Sequence, residues 1–175
     1  MARGDVEGSL ADQALGLERS RVARDPQVVA PALAFSVWVL VETGHLAEAR
    51  ALADELLSAG HHSFELAIEP LMWAGEALGL TDRMRVALAA VRGGPWRDAA
   101  EAVLVGDFES AARVLDEIGA APHAALARLR AARALIDAGR RAEGDVQLQR
   151  ALTFWRSVGA TRYVREGEAL LAASA

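Results

Sequence analysis

Residues 106–139 read GDFESAARVLDEIGAAPHAALARLRAARALIDAG, and this stretch decides the fold. It opens on the turn pair Gly106-Asp107 and closes on Gly139, a residue that ends helices. Between them Phe108, Ala111, Ala112, Leu115 and Ile118 recur at helical spacing and form one apolar stripe. Pro122 then starts a second helix, because a proline in the first turn forfeits no hydrogen bond. Leu126, Leu129 and Ile136 supply its stripe. Helices this short are marginal alone, so each must bury its stripe on a neighbour.

The same punctuation runs outward in both directions and divides the chain into about ten short helices. Helix one covers roughly residues 8–23. Asp25 as N-cap and Pro26 as first helical residue open helix two, which Gly44 ends. Helix three runs over about 45–58 with a stripe of Leu46, Ala49, Leu52, Ala53, Leu56 and Leu57. Ser63 caps helix four, expected to continue to Gly79, and Thr81 caps helix five. Gly93-Gly94-Pro95 breaks the chain and starts helix six; helix seven runs to about Ile118 and helix eight to Gly139. Helix nine runs to Val158, and Thr161 caps the last helix, 161–173, expected to cap the fold with Tyr163, Gly167, Leu170 and Leu171 inward.

Composition agrees. Of the 175 residues 53% are hydrophobic, and much of that is Ala and Leu, both strong helix formers. The alternating β-branched runs that announce strands are missing. The length suits a single domain spanning 1–175. A net charge of -5 argues against direct nucleic-acid binding, which needs a basic stripe. Every basic residue other than His is Arg, and these are scattered rather than clustered. Without cysteine there is no disulfide framework and no thiolate metal site, which fits a cytoplasmic protein. Asp5, Glu7 and Asp12 occupy the start of the chain where a signal peptide would be apolar. The longest near-apolar run, Val28 to Val41, falls short of the roughly 20 residues a membrane span needs and reads as a buried helix.

The turns recur. Gly4, Gly44, Gly79, Gly106 and Gly139 each precede a helix with a polar first part, at steps of 40, 35, 27 and 33 residues. Gly4-Asp5-Val6-Glu7 matches Gly106-Asp107-Phe108-Glu109. A turn glycine followed by a helix with Ala on its inner face resembles the tetratricopeptide repeat, a helix pair of about 34 residues. The resemblance is one of pattern, since the fixed Trp, Tyr and Pro positions of the full consensus are absent. It implies an all-α fold, antiparallel helix pairs stacked as a short right-handed tetratricopeptide-like α-solenoid; a plain helical bundle is the alternative. Residues 141–171, from Arg141-Ala142-Glu143-Gly144 to Glu168-Ala169-Leu170-Leu171, resemble the end of large bacterial signalling proteins that join a nucleotide-cyclase domain or a LuxR-type regulator to an AAA-type ATPase and a helical-repeat tail. The resemblance covers about the last thirty residues. It implies a non-catalytic interaction or regulatory tail, the C-terminal part of a longer repeat array, and transfers no catalysis.

The residues themselves offer no enzyme. No phosphate-binding loop is present, and without lysine the Gly-x-x-x-x-Gly-Lys form is impossible. No nucleophile elbow occurs, and no coupled nucleophile and base can be named. His61-His62 with Glu65 is the nearest approach to a metal site, but no second ligand set appears, so neither metal nor other cofactor is expected.

For partner binding, Glu65, Glu69, Met72, Trp73 and Glu76 would share one face of helix four, an acidic surface with an aromatic that could receive a basic peptide. Trp38, Trp73, Trp96 and Trp155 read first as core or inter-repeat packing, and Trp73 is the one that would serve as a groove anchor. Arg130 and Arg133 share a face of helix eight, with Arg128 to one side. If the first helix of each pair lines a concave surface, as the resemblance implies, the groove would be acidic at helix four and basic at helix eight. The expected partner is a protein or peptide; a small-molecule sensor with a pocket between helices is the alternative. Helix one reads as the second helix of a pair, with Leu10, Ala14, Leu17 and Val22 left to cover, so a homodimer through the N-terminal end is also expected.

Overall fold

The computed structural model describes residues 2–60, 64, 65 and 67–172. Among the described residues there are ten α-helices and no strand: α1 (Val6–Ala23), α2 (Pro26–Glu42), α3 (Leu46–Ser58), α4 (Ile68–Leu71), α5 (Thr81–Ala89), α6 (Pro95–Leu104), α7 (Phe108–Glu117), α8 (Ala121–Asp137), α9 (Arg141–Ser157) and α10 (Thr161–Ala172). None is long and apolar enough to cross a membrane.

Local chemistry sets the boundaries. The Asp25 carboxylate accepts from the Gln27 N–H at 2.9 Å, and Pro26 follows as the first residue of α2. Asp107 does the same for the Ser110 N–H at 3.1 Å ahead of α7. The helix ends share one device. At Gly44, Gly79, Gly119, Gly139 and Gly159 the glycine has positive φ, and the next residue's N–H reaches back five residues: His45 to Leu40, Leu80 to Gly75, Ala120 to Leu115, Arg140 to Leu135, Ala160 to Trp155, all at 2.8–2.9 Å. This is the Schellman pattern, which needs a left-handed residue that glycine alone adopts cheaply. In each case the next helix begins two residues after the glycine.

Helix four departs from expectation. The sequence reading ran one helix to Gly79, but α4 spans only Ile68–Leu71 and irregular turns occupy 72–79. In a continuous helix Pro70 would have no N–H to give and its ring would clash with the carbonyl four residues back. Gly75 weakens the helix further. The turns are held from α3, where Arg50 donates to the Leu78 carbonyl at 2.5 Å. Thr81 and Thr161 are the first helical residues of α5 and α10 rather than their caps. The cap expected at Ser63 lies outside the described residues.

The chain forms two compact units, one of Val6–Leu104 and one of residues up to Asp5 together with Val105 onward. In the first unit α2 is central. It buries Ala30, Leu33, Ala34, Ser36, Val37 and Leu40, with α1 and α3 both packed on it. The Ser36 hydroxyl is satisfied by the Ala32 carbonyl at 2.7 Å. α4 packs on α2 and α6, and α5 on α6 and α3. Phe64, Leu71, Met72, Trp73, Met84 and Leu88 fill this core.

In the second unit each helix packs on the next, α7 on α8, α8 on α9 and α9 on α10. α8 buries His123 and eight apolar residues, five of them Ala, which lets its neighbours approach closely. The closest approaches use glycine. A Cβ at Gly144 of α9 would meet Ile136 Cγ1 at 2.8 Å and the Ala132 carbonyl oxygen at 3.0 Å, and one at Gly167 of α10 would meet Leu152 Cδ2 at 2.7 Å. Trp155 stacks on Tyr163 with ring centroids 4.4 Å apart. The start of the chain belongs here too. The Ala2 carbonyl accepts from the Arg162 N–H at 3.0 Å, and the Arg3 carbonyl from the Thr161 hydroxyl at 3.0 Å. A strand of backbone from the other end of the sequence thus satisfies an otherwise orphaned donor in the first turn of α10.

Candidate functional site

The residues singled out for partner binding fall in different compact units, and each group stands by itself. In the first unit the expected acidic face is divided. Glu65 and Glu76 are exposed and Glu69 is half-buried, but Met72 and Trp73 are only 2% and 1% exposed. Trp73 is therefore a core residue and not an accessible anchor. The i, i+3, i+4 spacing that put it beside the glutamates holds only on a continuous helix, which Pro70 and Gly75 prevent.

Another aromatic takes that place. An open cleft of about 300 Å³ is lined by Glu65, Glu69, Ile68, Val91, Trp96 and the Arg92–Arg97 turn. Trp96 is half-buried at the start of α6. The turn is held in shape by Arg97, which donates to the Val91 carbonyl at 3.1 Å and to Glu101 Oε1 at 2.9 and 3.0 Å. Asp98 N–H also closes onto the Gly94 carbonyl at 3.0 Å. Ile68 and Val91 give the cleft an apolar base, and Glu65, Glu69, Arg92 and Arg97 set charges of both signs around it, with Arg97 paired to Glu101 at 2.9 Å. The sequence signal is the Gly93-Gly94-Pro95 break itself, which places Trp96 in the first turn of the helix that follows.

In the second unit the arginines of α8 serve as ties between helices. Arg133 pairs with Glu166 of α10 at 2.8 Å. Arg128, largely covered, forms a two-point pair with Asp116 of α7. Arg130 is half-buried. Gln147 of α9 donates to Glu109 of α7 at 3.1 Å. A further cleft of about 330 Å³ runs from the Gly106-Asp107 turn to the end of α8, lined by Phe108, Glu109, Ala131, Leu135 and Arg140.

A cleft of about 890 Å³ lies in the first unit between α1 and α3 with Leu40 of α2 beneath. Leu17, Ala14, Ala51 and Leu52 line it, with Gln13, Glu18, Arg24 and Glu48 at its edges. Arg21 of α1 pairs with Glu55 of α3 at 2.8 Å.

Among the described residues no group of three or more His, Asp or Glu side chains could hold a metal ion. His61 and His62, the pair weighed as ligands beside Glu65, lie outside the described residues. No protein-family model and no curated protein sequence matches the chain.

Proposed function

We propose that the chain is a non-catalytic protein-interaction module that receives a basic polypeptide segment at the cleft between α4 and the start of α6. The observation that carries this reading is the exposed Glu65 beside the half-buried Glu69 and Trp96 over an apolar base, on a rim where Arg97 is already neutralised by Glu101. A lysine or arginine side chain entering there would place its charge near the carboxylates and its hydrocarbon stem or cation against the indole. The cleft is open rather than enclosed, which suits a segment of chain better than a small molecule.

The reading extends to architecture. Five turns with one hydrogen-bond pattern, each followed by a helix two residues later, support a right-handed tetratricopeptide-like solenoid. With the resemblance at 141–171, this supports a cytoplasmic role as the regulatory repeat tail of a bacterial cyclase or transcriptional-regulatory ATPase protein.

Fluorescence polarisation with labelled basic and acidic peptides tests the binding. The basic peptide should bind more tightly, and Glu65→Arg with Glu69→Arg should weaken it by at least about tenfold, less so in high salt. Equal affinity for both peptides, or none for either, would remove the proposal.

A further inference from the structure

We propose that the cleft between α4 and the start of α6 takes an extended segment in which a basic residue stands next to an acidic one, and that Arg92 reads the acidic side chain. This deepens the proposed function and rests on it. Two separate stretches of chain line the cleft, residues 65–69 and residues 91–97. The first brings Glu65 and Glu69, the second Arg92 and Arg97. Arg97 is committed within the fold, paired with Glu101 at 2.9 Å and donating to the Val91 carbonyl at 3.1 Å. Glu65 and Arg92 are different. Both are exposed, and among the described residues neither side chain has a hydrogen bond or an ion pair. They line one cleft without reaching one another, so two unlike charges are held apart around a shared apolar base.

Charge selects the occupant. A uniformly basic segment would satisfy Glu65 but bring its next cation toward Arg92, and like charges set together count against binding. A uniformly acidic segment has the same fault at Glu65. A segment carrying both signs meets both groups. In an extended chain successive side chains point to opposite faces. A basic residue and its acidic neighbour therefore leave the backbone in opposite directions, one toward Glu65 and the other toward Arg92. The turn beside Arg92 is open to such a backbone, since a Cβ at Gly93 or at Gly94 would meet nothing within 4 Å. Trp96, half-buried on the same rim, offers its ring to the hydrocarbon stem of the basic residue. An ion pair on an exposed rim contributes little by itself. Arg92 therefore ranks one basic segment above another, while the binding itself rests on Glu65, Glu69 and the apolar base.

Fluorescence polarisation on the full chain at low salt tests this with labelled Gly-Ser peptides that differ only at their centre, which reads Lys-Gln, Lys-Glu, Glu-Lys or Lys-Lys. In one order or the other, the mixed peptide should bind about threefold more tightly than Lys-Gln, the size expected of one exposed ion pair. Lys-Lys should bind no more tightly than Lys-Gln. Arg92→Gln should bring the favoured mixed peptide down to the level of Lys-Gln and leave Lys-Gln itself unchanged. Changing Arg92 and the peptide glutamate singly and together isolates their contact from any general effect on the fold. Arg92→Glu should favour Lys-Lys over both mixed peptides, a gain that a folding defect could not produce. A native chain that binds Lys-Gln as tightly as both mixed peptides, or a preference for the mixed peptide that survives Arg92→Gln, would overturn the proposal. Binding of Lys-Gln that is weakened by Glu65→Arg with Glu69→Arg would then leave the functional reading standing. Binding to none of the four peptides would remove both.

Discussion

Gly16 and Gly144 are both helical glycines in opposite surroundings. A Cβ at Gly16 of α1 would meet nothing within 4 Å, so Gly16→Ala should stabilise the protein by about 1 kcal/mol through helix propensity alone. The same change at Gly144 would press on Ile136 and on the Ala132 carbonyl, which as backbone cannot move aside. There overpacking outweighs propensity, and the melt should show a loss of about 1–2 kcal/mol. Nothing in the sequence separates these two glycines, because the difference lies in the neighbouring helix. Trp73 teaches the same lesson: it packs in the core, the first reading of all four tryptophans, while its use as an anchor needs a helical phase carried across Pro70. With 1% exposure, Trp73→Ala should cost about 3–5 kcal/mol in a denaturant titration, far more than a surface anchor would. Exposed charges behave differently. Arg140 donates to Glu143 at 2.8 and 2.5 Å, a hydrogen bond that holds the Glu143 carboxyl below its ordinary value. A carboxyl lowered by folding favours the folded state above its unfolded value and loses that contribution as pH falls through the folded one. An NMR titration should find Glu143 low in the native chain and raised in Arg140→Ala.

At the scale of elements, helices with a stop glycine and an apolar stripe were legible before any coordinates. Residues 106–139 form α7 and α8 with the expected turns, and Asp25-Pro26 opens α2 as read. Helix four was not legible as drawn, since its proline was passed over in favour of the periodicity around it. The last helix shows how a stripe becomes packing. Tyr163 and Gly167 are buried, Leu170 and Leu171 are half-buried, and Arg165 and Glu168 face water. Arg156 of α9 pairs with Glu168 at 2.9 Å. Removing residues 161–175 would strip cover from Leu152 and Trp155, which are 0% and 5% exposed. The truncated chain should aggregate or melt well below the native one; an unchanged melt would mean that α9 needs no cover. The candidate cleft is half legible: charge points to the glutamates, but their aromatic neighbour stands in the first turn of α6, just after what the sequence marks only as a break.

For the whole molecule, the division into two compact units sets the next expectation. Every helix of Val6–Leu104 finds its packing partners within that segment. Produced alone, residues 6–104 should keep their helical circular dichroism and melt cooperatively; a non-cooperative melt would show that the unit depends on the remainder. The sequence did not announce this division, because the turn glycines look alike on both sides of residue 105 and punctuation carries no information about which helices exchange contacts.

The two hydrogen bonds between residues 2–3 and 161–162 join positions made at opposite times. A ribosome releases Ala2 and Arg3 long before Thr161 exists, so these residues must wait, unpaired, while α1 to α9 are synthesised. The segment 6–104 is contiguous and can fold as it emerges, whereas the second unit can close only after α10 has left the exit tunnel. During synthesis, residues 2 and 3 therefore find their place later than the helices of 6–104 that follow them in the chain.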